Sequence, residues 1–152
     1  AAPALIQLGI EPLGAHLFVL YFATMSFLTP PVCVAVYIAS TIASSRPMPT
    51  ALEAIKLGIA AFVVPFIFAV NPALLLMGTV AEIIPSVIAS VVGLASIAIM
   101  LRGYLFSKLN VFSRILFGIG AAGLLVPTWV SNVVGLGFVI AVSLWEWKRS
   151  RR

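Results

Sequence analysis

Two consecutive prolines, Pro30 and Pro31, stand in the middle of an apolar run that reaches from residue 15 to about residue 44, and hydroxyls gather just before them at Thr24, Ser26 and Thr29. Neither proline has an amide hydrogen, so in a continuous helix the carbonyls of Ser26 and Phe27, four residues earlier, lose their donors. A mid-helix proline costs about 3 kcal/mol. An unpaired carbonyl in hydrocarbon costs several kcal/mol more, and irregular backbone persists at membrane depth only where it is buried in protein or lines a wet cavity. Hydroxyl and carbonyl oxygens without formal charge are a donor set for a small hard cation such as sodium, of the kind found where membrane helices unwind near the bilayer midplane. The candidate ion-binding residues are therefore Ser26, Phe27 through its carbonyl, and Thr29, with Pro30 and Pro31 shaping the backbone and Thr24 accessory one turn away. A plain proline kink, its carbonyls satisfied by a neighbouring helix, fits the same residues equally well.

Other groups with chemical potential have bland readings beside the sharp ones. His16, at the head of the broken helix, is a second accessory candidate: a proton relay, or an imidazole bonded to nearby backbone. Cys33 lies in the apolar run and has no second cysteine to pair with, so it reads as a small buried hydrophobe. Gly118-Ile119-Gly120-Ala121-Ala122-Gly123 matches the spacing of a dinucleotide fingerprint, but no strand precedes it. Its glycines read as surfaces for close helix packing, as do the pairs Ala89/Gly93 and Ser131/Gly135. Glu53 and Lys56 form an i,i+3 pair, Glu82 caps or hydrogen-bonds the start of a helix, and Asn132 pairs across helices. No Ser/His/acid set, no Cys/His cluster and no G-x-S-x-G turn occurs in the sequence, so catalysis finds no support.

The elements that position these groups are membrane helices. Of the 152 residues, 62% are hydrophobic and only 9% charged, with a mean hydropathy of +1.21. Ordinary soluble chains carry about 25% charged residues, and disordered ones are low in hydrophobicity. Aspartate is absent, and the acids are Glu11, Glu53, Glu82 and Glu146. That excludes aspartate-built catalytic pairs and metal sites. The net charge of +5 is spread between apolar runs and makes no basic face interleaved with aromatics, so no nucleic acid is expected.

Crossing a hydrocarbon core of about 30 Å takes about 20 apolar residues. The first span is the broken run 15–44. A second covers 51–70, with Thr50 as N-cap and Glu53 completing a capping box, Pro65 inside and Asn71-Pro72 at its end. A third covers 84–101, with Pro85 in its first turn. The last apolar stretch, 112–145, reads as a short helical hairpin broken around Pro127 and Asn132. The fold class is thus all-α integral membrane, with about five transmembrane segments, the first discontinuous at Thr29-Pro30-Pro31. With Glu11 and Glu82 on one side, all nine Lys and Arg, ending in Lys148, Arg149, Arg151 and Arg152, fall on the other, which the positive-inside rule makes cytoplasmic. Trp145 and Trp147 stand where an interfacial anchor belongs.

The order of short motifs carries a resemblance. Ala2-Pro3-Ala4-Leu5-Ile6, Pro12-Leu13, Ala15-His16-Leu17-Phe18 and Leu28-Thr29-Pro30-Pro31-Val32 resemble the end of a TRAP (tripartite ATP-independent periplasmic) transporter permease. The similarity continues through Arg46-Pro47-Met48, Glu53-Ala54, Leu57-Gly58, Ala60-Ala61-Phe62, Val64-Pro65-Phe66 and Asn71-Pro72-Ala73-Leu74-Leu75. It covers about residues 1–76 and is closest to the type that fuses the small and large membrane subunits. Residues 1–76 then form the end of the transport domain, comprising the tail of a re-entrant hairpin, the broken helix and the helix after it. Residues 77–152 form a C-terminal helical membrane extension with a basic cytoplasmic tail.

The resemblance implies a bacterial inner-membrane, multi-pass secondary transporter with sodium as coupling ion and no other cofactor. Its implied partners are membrane lipid, a periplasmic solute-binding protein, a small organic anion of carboxylate type, and the rest of the permease. The break at Thr29-Pro30-Pro31 takes the place of the interrupted helix that helps form a sodium site in that family. The glycine-rich hairpin tip supplying the other half of such a site is not in this sequence, and the opening Ala1-Ala2-Pro3 reads like the middle of a longer chain. These residues alone are therefore expected to hold half a site. The alternative is a non-transporting helical membrane or assembly subunit whose proline break is only a packing kink.

Overall fold

The computed structural model describes residues 1–105 and 108–150, the side chain of Ser150 excepted, so Arg151 and Arg152 of the basic tail lie outside the described residues. Among the described residues the regular structure is helical apart from an isolated bridge between Tyr104 and Lys108. The chain divides into two compact units, Ala1–Leu75 and Leu76–Arg152.

The first unit runs α1 (Ala2–Gln7), α2 (Pro12–Met25), α3 (Val34–Ile42), α4 (Pro47–Val70) and a 3-10 turn (Pro72–Leu75). Proline opens α2 and α4 at the first helical turn, where the missing N–H would have no intrahelical acceptor anyway. The expected start of α4 at Thr50 is corrected by this geometry. Arg46 is the N-cap, Thr50 lies inside the first turn with Oγ1 donating to the Arg46 carbonyl at 2.8 Å, and Glu53 meets Lys56 Nζ at 2.7 Å instead of closing a capping box. Pro65 sits inside α4, and Asn71 ends the helix as expected, its Oδ1 accepting from the Ala73 amide at 3.2 Å.

One α4 surface serves both halves of the broken helix. Near its start, Ala51 is buried with Cys33 and Val36, and Leu28 and Ala54 pack against them. Near its end, Phe66 meets Phe18 and Phe22 with ring centroids 5.2 and 5.7 Å apart, and Phe68 meets Tyr21 at 6.5 Å. Cys33 is a free, buried thiol. By its length of 14 residues, α2 rises only about 21 Å, short of a hydrocarbon core. It continues past the break into α3, with α4 alongside both.

The second unit holds α5 (Val80–Arg102), α6 (Val111–Leu125) and α7 (Trp129–Ser150). The capping box placed at Thr50 by sequence is found here: Glu82 Oε2 accepts from the Thr79 amide at 2.9 Å. Because that box starts α5 at Val80, Pro85 falls beyond the first turn. α5 stops at Gly103, whose φ of 64° is left-handed and whose N–H bonds the Ile99 carbonyl, the usual glycine ending. Arg114 from α6 then caps the exposed carbonyls of Met100 and Leu101, at 2.6 and 2.9 Å.

The final hairpin is present, with two changes to its expected form. It turns at Val126–Thr128, and its second arm is the 22-residue α7, not a short span. Asn132 does not mark the break but lies inside α7, where its amide faces the carbonyls of Leu124 (3.1 Å) and Val126 (3.0 Å) at the end of α6. The Val126 carbonyl also accepts from the Thr128 N–H at 2.8 Å, whereas the Leu124 carbonyl lies in the last turn of α6, where intrahelical donors run out, and Asn132 supplies one. Phe117 and Leu124 of α6 fill the core with Ala89 of α5 and Val139 and Val142 of α7. The α4, α5 and α7 helices are each long and apolar enough to cross a membrane, and α2 and α6 are shorter apolar helices.

The α6–α7 contact rests on missing side chains. A methyl group on Gly135 would stand 3.0 Å from the Leu124 amide nitrogen and 3.1 Å from the Gly120 carbonyl oxygen, both backbone atoms that cannot step aside. Gly137, one helical face away, has nothing within 4 Å of the same position. Gly135→Ala should therefore lower stability by about 1–3 kcal/mol through overpacking. Gly137→Ala should be neutral or mildly stabilising, as checked by thermal unfolding of the detergent-solubilised chain followed by circular dichroism.

A candidate ion site at the broken helix

Past the end of α2, the chain tightens before it breaks. Ser26 is the C-cap, and successive i→i+3 bonds follow: Phe27 N–H to Thr24 O (3.2 Å), Leu28 N–H to Met25 O (3.0 Å) and Thr29 N–H to Ser26 O (3.3 Å). The Pro30–Pro31 peptide is cis, and Cys33 starts α3 with φ 22° and ψ 46°. The Cys33 N–H returns to the Thr29 carbonyl at 3.0 Å, and the Ala35 N–H reaches the Phe27 carbonyl at 3.1 Å.

The carbonyls of Ser26 and Phe27 lose the helical donors that Pro30 and Pro31 would have carried, yet each finds another within the chain. The reason lies in the start of α3. A helix begins with amides that have no partner inside it, and the turn through Pro30-Pro31 brings one of them, on Ala35, onto the carbonyl that the prolines deprived. No local pattern in the sequence announces this pairing, because it depends on the path of the loop.

The hydroxyls behave differently from the carbonyls. Thr24 Oγ1 donates to Leu20 O at 3.0 Å, Ser26 Oγ to Ala23 O at 2.6 Å, and Thr29 Oγ1 to Met25 O at 2.7 Å. Each hydroxyl hydrogen is thus spent on the helix, and what each oxygen presents outward is lone pairs. Such oxygens accept a cation without having to turn a hydrogen aside. Ser26, Thr29 and Pro30 are half-buried, and Thr24, Phe27 and Pro31 are exposed. Ser26, Phe27, Thr29, Pro30 and Pro31 share one compact turn, and Thr24 stands a few residues back on α2. Thr24 also borders an apolar cleft of about 230 Å³ between α2 and α4, with Leu17, Leu20, Tyr21, Met25 and Phe68.

His16 is not brought to this turn. It lies ten residues before Ser26 on the same helix, about 15 Å of rise away, and its Nδ1 donates to the Pro12 carbonyl at 2.7 Å. The backbone-bonded reading of this imidazole fits that geometry.

Sequence reasoning missed a polar cluster in the second unit. Glu146 is only 1% exposed. Ser113 Oγ of α6 donates to its Oε1, Arg149 lies 3.8 Å from the same oxygen, and Oε2 is buried without a partner. The Glu146/Arg149 spacing of i,i+3 was a usable signal. The partnership with Ser113, in a different helix, was not.

A discontinuous helix braced by a long apolar neighbour in one unit and, in the other, two further helices long enough to span a bilayer define a multi-pass helical membrane protein. Residues 1–83 match the family described as Tripartite ATP-independent periplasmic transporter, DctM component. That is more than half of the chain, and the protein belongs to this family of transporter permease components. The matched segment contains the whole break and ends in the first turn of α5. No curated protein and no solved structure gives a significant match.

Thr29→Val keeps the side-chain volume and removes the hydroxyl bonded to Met25 O. It should cost about 1 kcal/mol and speed hydrogen exchange at the Cys33 amide, which is held by the Thr29 carbonyl. Thr29→Ser should retain both properties. Exchange mass spectrometry on peptides covering residues 26–36 separates these outcomes.

Proposed function

We propose that this chain serves in a sodium-coupled permease that imports a small organic anion of carboxylate type, delivered by a periplasmic solute-binding protein. In this reading it resides in a bacterial inner membrane with its C-terminus in the cytoplasm. The observation that carries the sodium assignment is the set of three hydroxyls, Thr24, Ser26 and Thr29, each with its hydrogen turned inward onto a backbone carbonyl beside the proline break. Sodium prefers oxygen ligands without demanding their formal charge, and interrupted helices supply them in secondary transporters. The family match over residues 1–83 supports the transporter reading. Ser26 and Thr29 would ligate through hydroxyl oxygens. The Phe27 carbonyl would use its second lone pair, since the first accepts from Ala35. Pro30 and Pro31 contribute shape alone.

One observation favours a second reading, a non-transporting membrane or assembly subunit with a packing kink: the Ser26 and Phe27 carbonyls are already satisfied within the chain. The two readings separate in uptake. In the complete permease that contains this chain, supplied with its binding protein and a radiolabelled carboxylate, Thr29→Ala should raise the sodium concentration for half-maximal uptake about tenfold, the effect of losing roughly 1.4 kcal/mol of ion binding. Unchanged sodium activation in that variant removes the site from this turn. Uptake that is indifferent to replacing sodium with choline removes sodium coupling altogether.

A further inference from the structure

We propose that the basic end of the second unit is a binding surface for anionic phospholipid, gripping the phosphodiester headgroup with exposed cations and the first acyl carbons with a collar of exposed apolar side chains. The end of α5, the start of α6 and the end of α7 meet there. The links are Arg114 capping the Met100 and Leu101 carbonyls, the Arg114 amide bonding the Asn110 carbonyl, and the Asn110 side-chain oxygen accepting from both Nη atoms of Arg149 at 3.1 Å. Arg114 also lies over Gly103, where an added Cβ would be 3.2 Å from its guanidinium carbon. Two of the cations at this end are thereby fixed by the protein itself.

The others face outward. Arg102, Lys108 and Lys148 are exposed. The acids of the described part of this unit are Glu82, at the opposite end of α5, and Glu146, which is buried and engaged with Ser113 and Arg149. Among the described residues, five cations therefore share this end with one internal carboxylate. Beside them, Tyr104, Val111, Phe112 and Trp145 are 61%, 71%, 63% and 48% exposed. Phosphate charge and acyl chain are the two halves of one molecule, and exposed cations at the same helix ends as exposed apolar groups match both halves. A soluble phosphate would use only the cations, and an acidic polypeptide would leave the apolar collar in lipid. Clustered Lys and Arg at the membrane boundary attract anionic headgroups over a short, salt-screened range. The inference is independent of sodium coupling, because it concerns a different unit and a different ligand.

The test uses the full chain carrying Trp129→Phe, so that Trp145 and Trp147 report on the basic end. It is reconstituted in phosphatidylcholine vesicles containing a fixed minor fraction of either brominated phosphatidylglycerol or brominated phosphatidylcholine. Headgroup selection predicts quenching about twofold or more deeper with the brominated anionic lipid, with the excess abolished in 0.5 M salt and in the triple variant Arg102→Gln, Lys108→Gln, Lys148→Gln. Should the triple variant lose helicity, Lys148→Gln alone, at an exposed position, is expected to remove a measurable share of the excess. Equal quenching by the two lipids overturns the proposal. An excess that survives the substitutions and the salt also overturns it.

Discussion

In hydrocarbon, a backbone carbonyl has no water to turn to, and the arrangement of the first unit follows from that single constraint. Two prolines remove two donors from a helix, and the chain must find replacements or expose polar groups to lipid. It finds them by shortening α2 into i→i+3 turns, reversing through Pro30-Pro31, and presenting the otherwise unused amide of Ala35 to Phe27. The start of one helix repairs the end of another. With the carbonyls satisfied internally, the chemistry left to this turn resides chiefly in the hydroxyl oxygens of Thr24, Ser26 and Thr29.

A repaired break still needs something to hold its halves in register, and α4 does so. Its first turns pack on Cys33 and Val36 beyond the break, and its last turns pack on Phe18, Tyr21 and Phe22 before it. The contacts differ in kind. The α3 side is a small, tight cluster of Cys33, Val36 and Ala51, and the α2 side is a set of edge-to-face aromatic pairs that tolerate small displacements. In the second unit the corresponding problem is solved by small residues: Gly120 and Gly135 let the α6 and α7 backbones approach, and the Asn132 amide reaches the Leu124 carbonyl at the end of α6.

Much of this was legible in the sequence, because membrane helices are written in long apolar runs with prolines and asparagines at their limits. The break at Thr29-Pro30-Pro31, the end of the next helix at Asn71, the hairpin near Pro127 and the packing role of the glycines could all be read locally. Helix starts were read less well. Thr50 with Glu53 has the spacing of a capping box, but Pro47 begins the helix a turn earlier, and the box that forms is Thr79 with Glu82. A cap motif gives a spacing, and the chain direction entering it decides whether the spacing is used. The candidate site was legible in its residue types and not in its hydrogen bonds. Ala35 and Phe27, like Ser113 and Glu146, are partners only because the chain folds back, and no periodicity encodes that.

The buried carboxylate of Glu146 has a consequence for how the molecule is made. Set alone in α7, that side chain would meet lipid or headgroups with a carboxylate to solvate, at a cost of about 3 kcal/mol if drawn to the depth of the helix centre. Its hydroxyl partner, Ser113, sits on the preceding helix, and the opposite end of the same pair is fastened by Asn132. A polypeptide emerges from the ribosome with α6 first, and α6 lacks both of these contacts until α7 arrives. The two arms are therefore suited to enter the bilayer as one body, already zipped at both ends, and α7 completes the helix made before it.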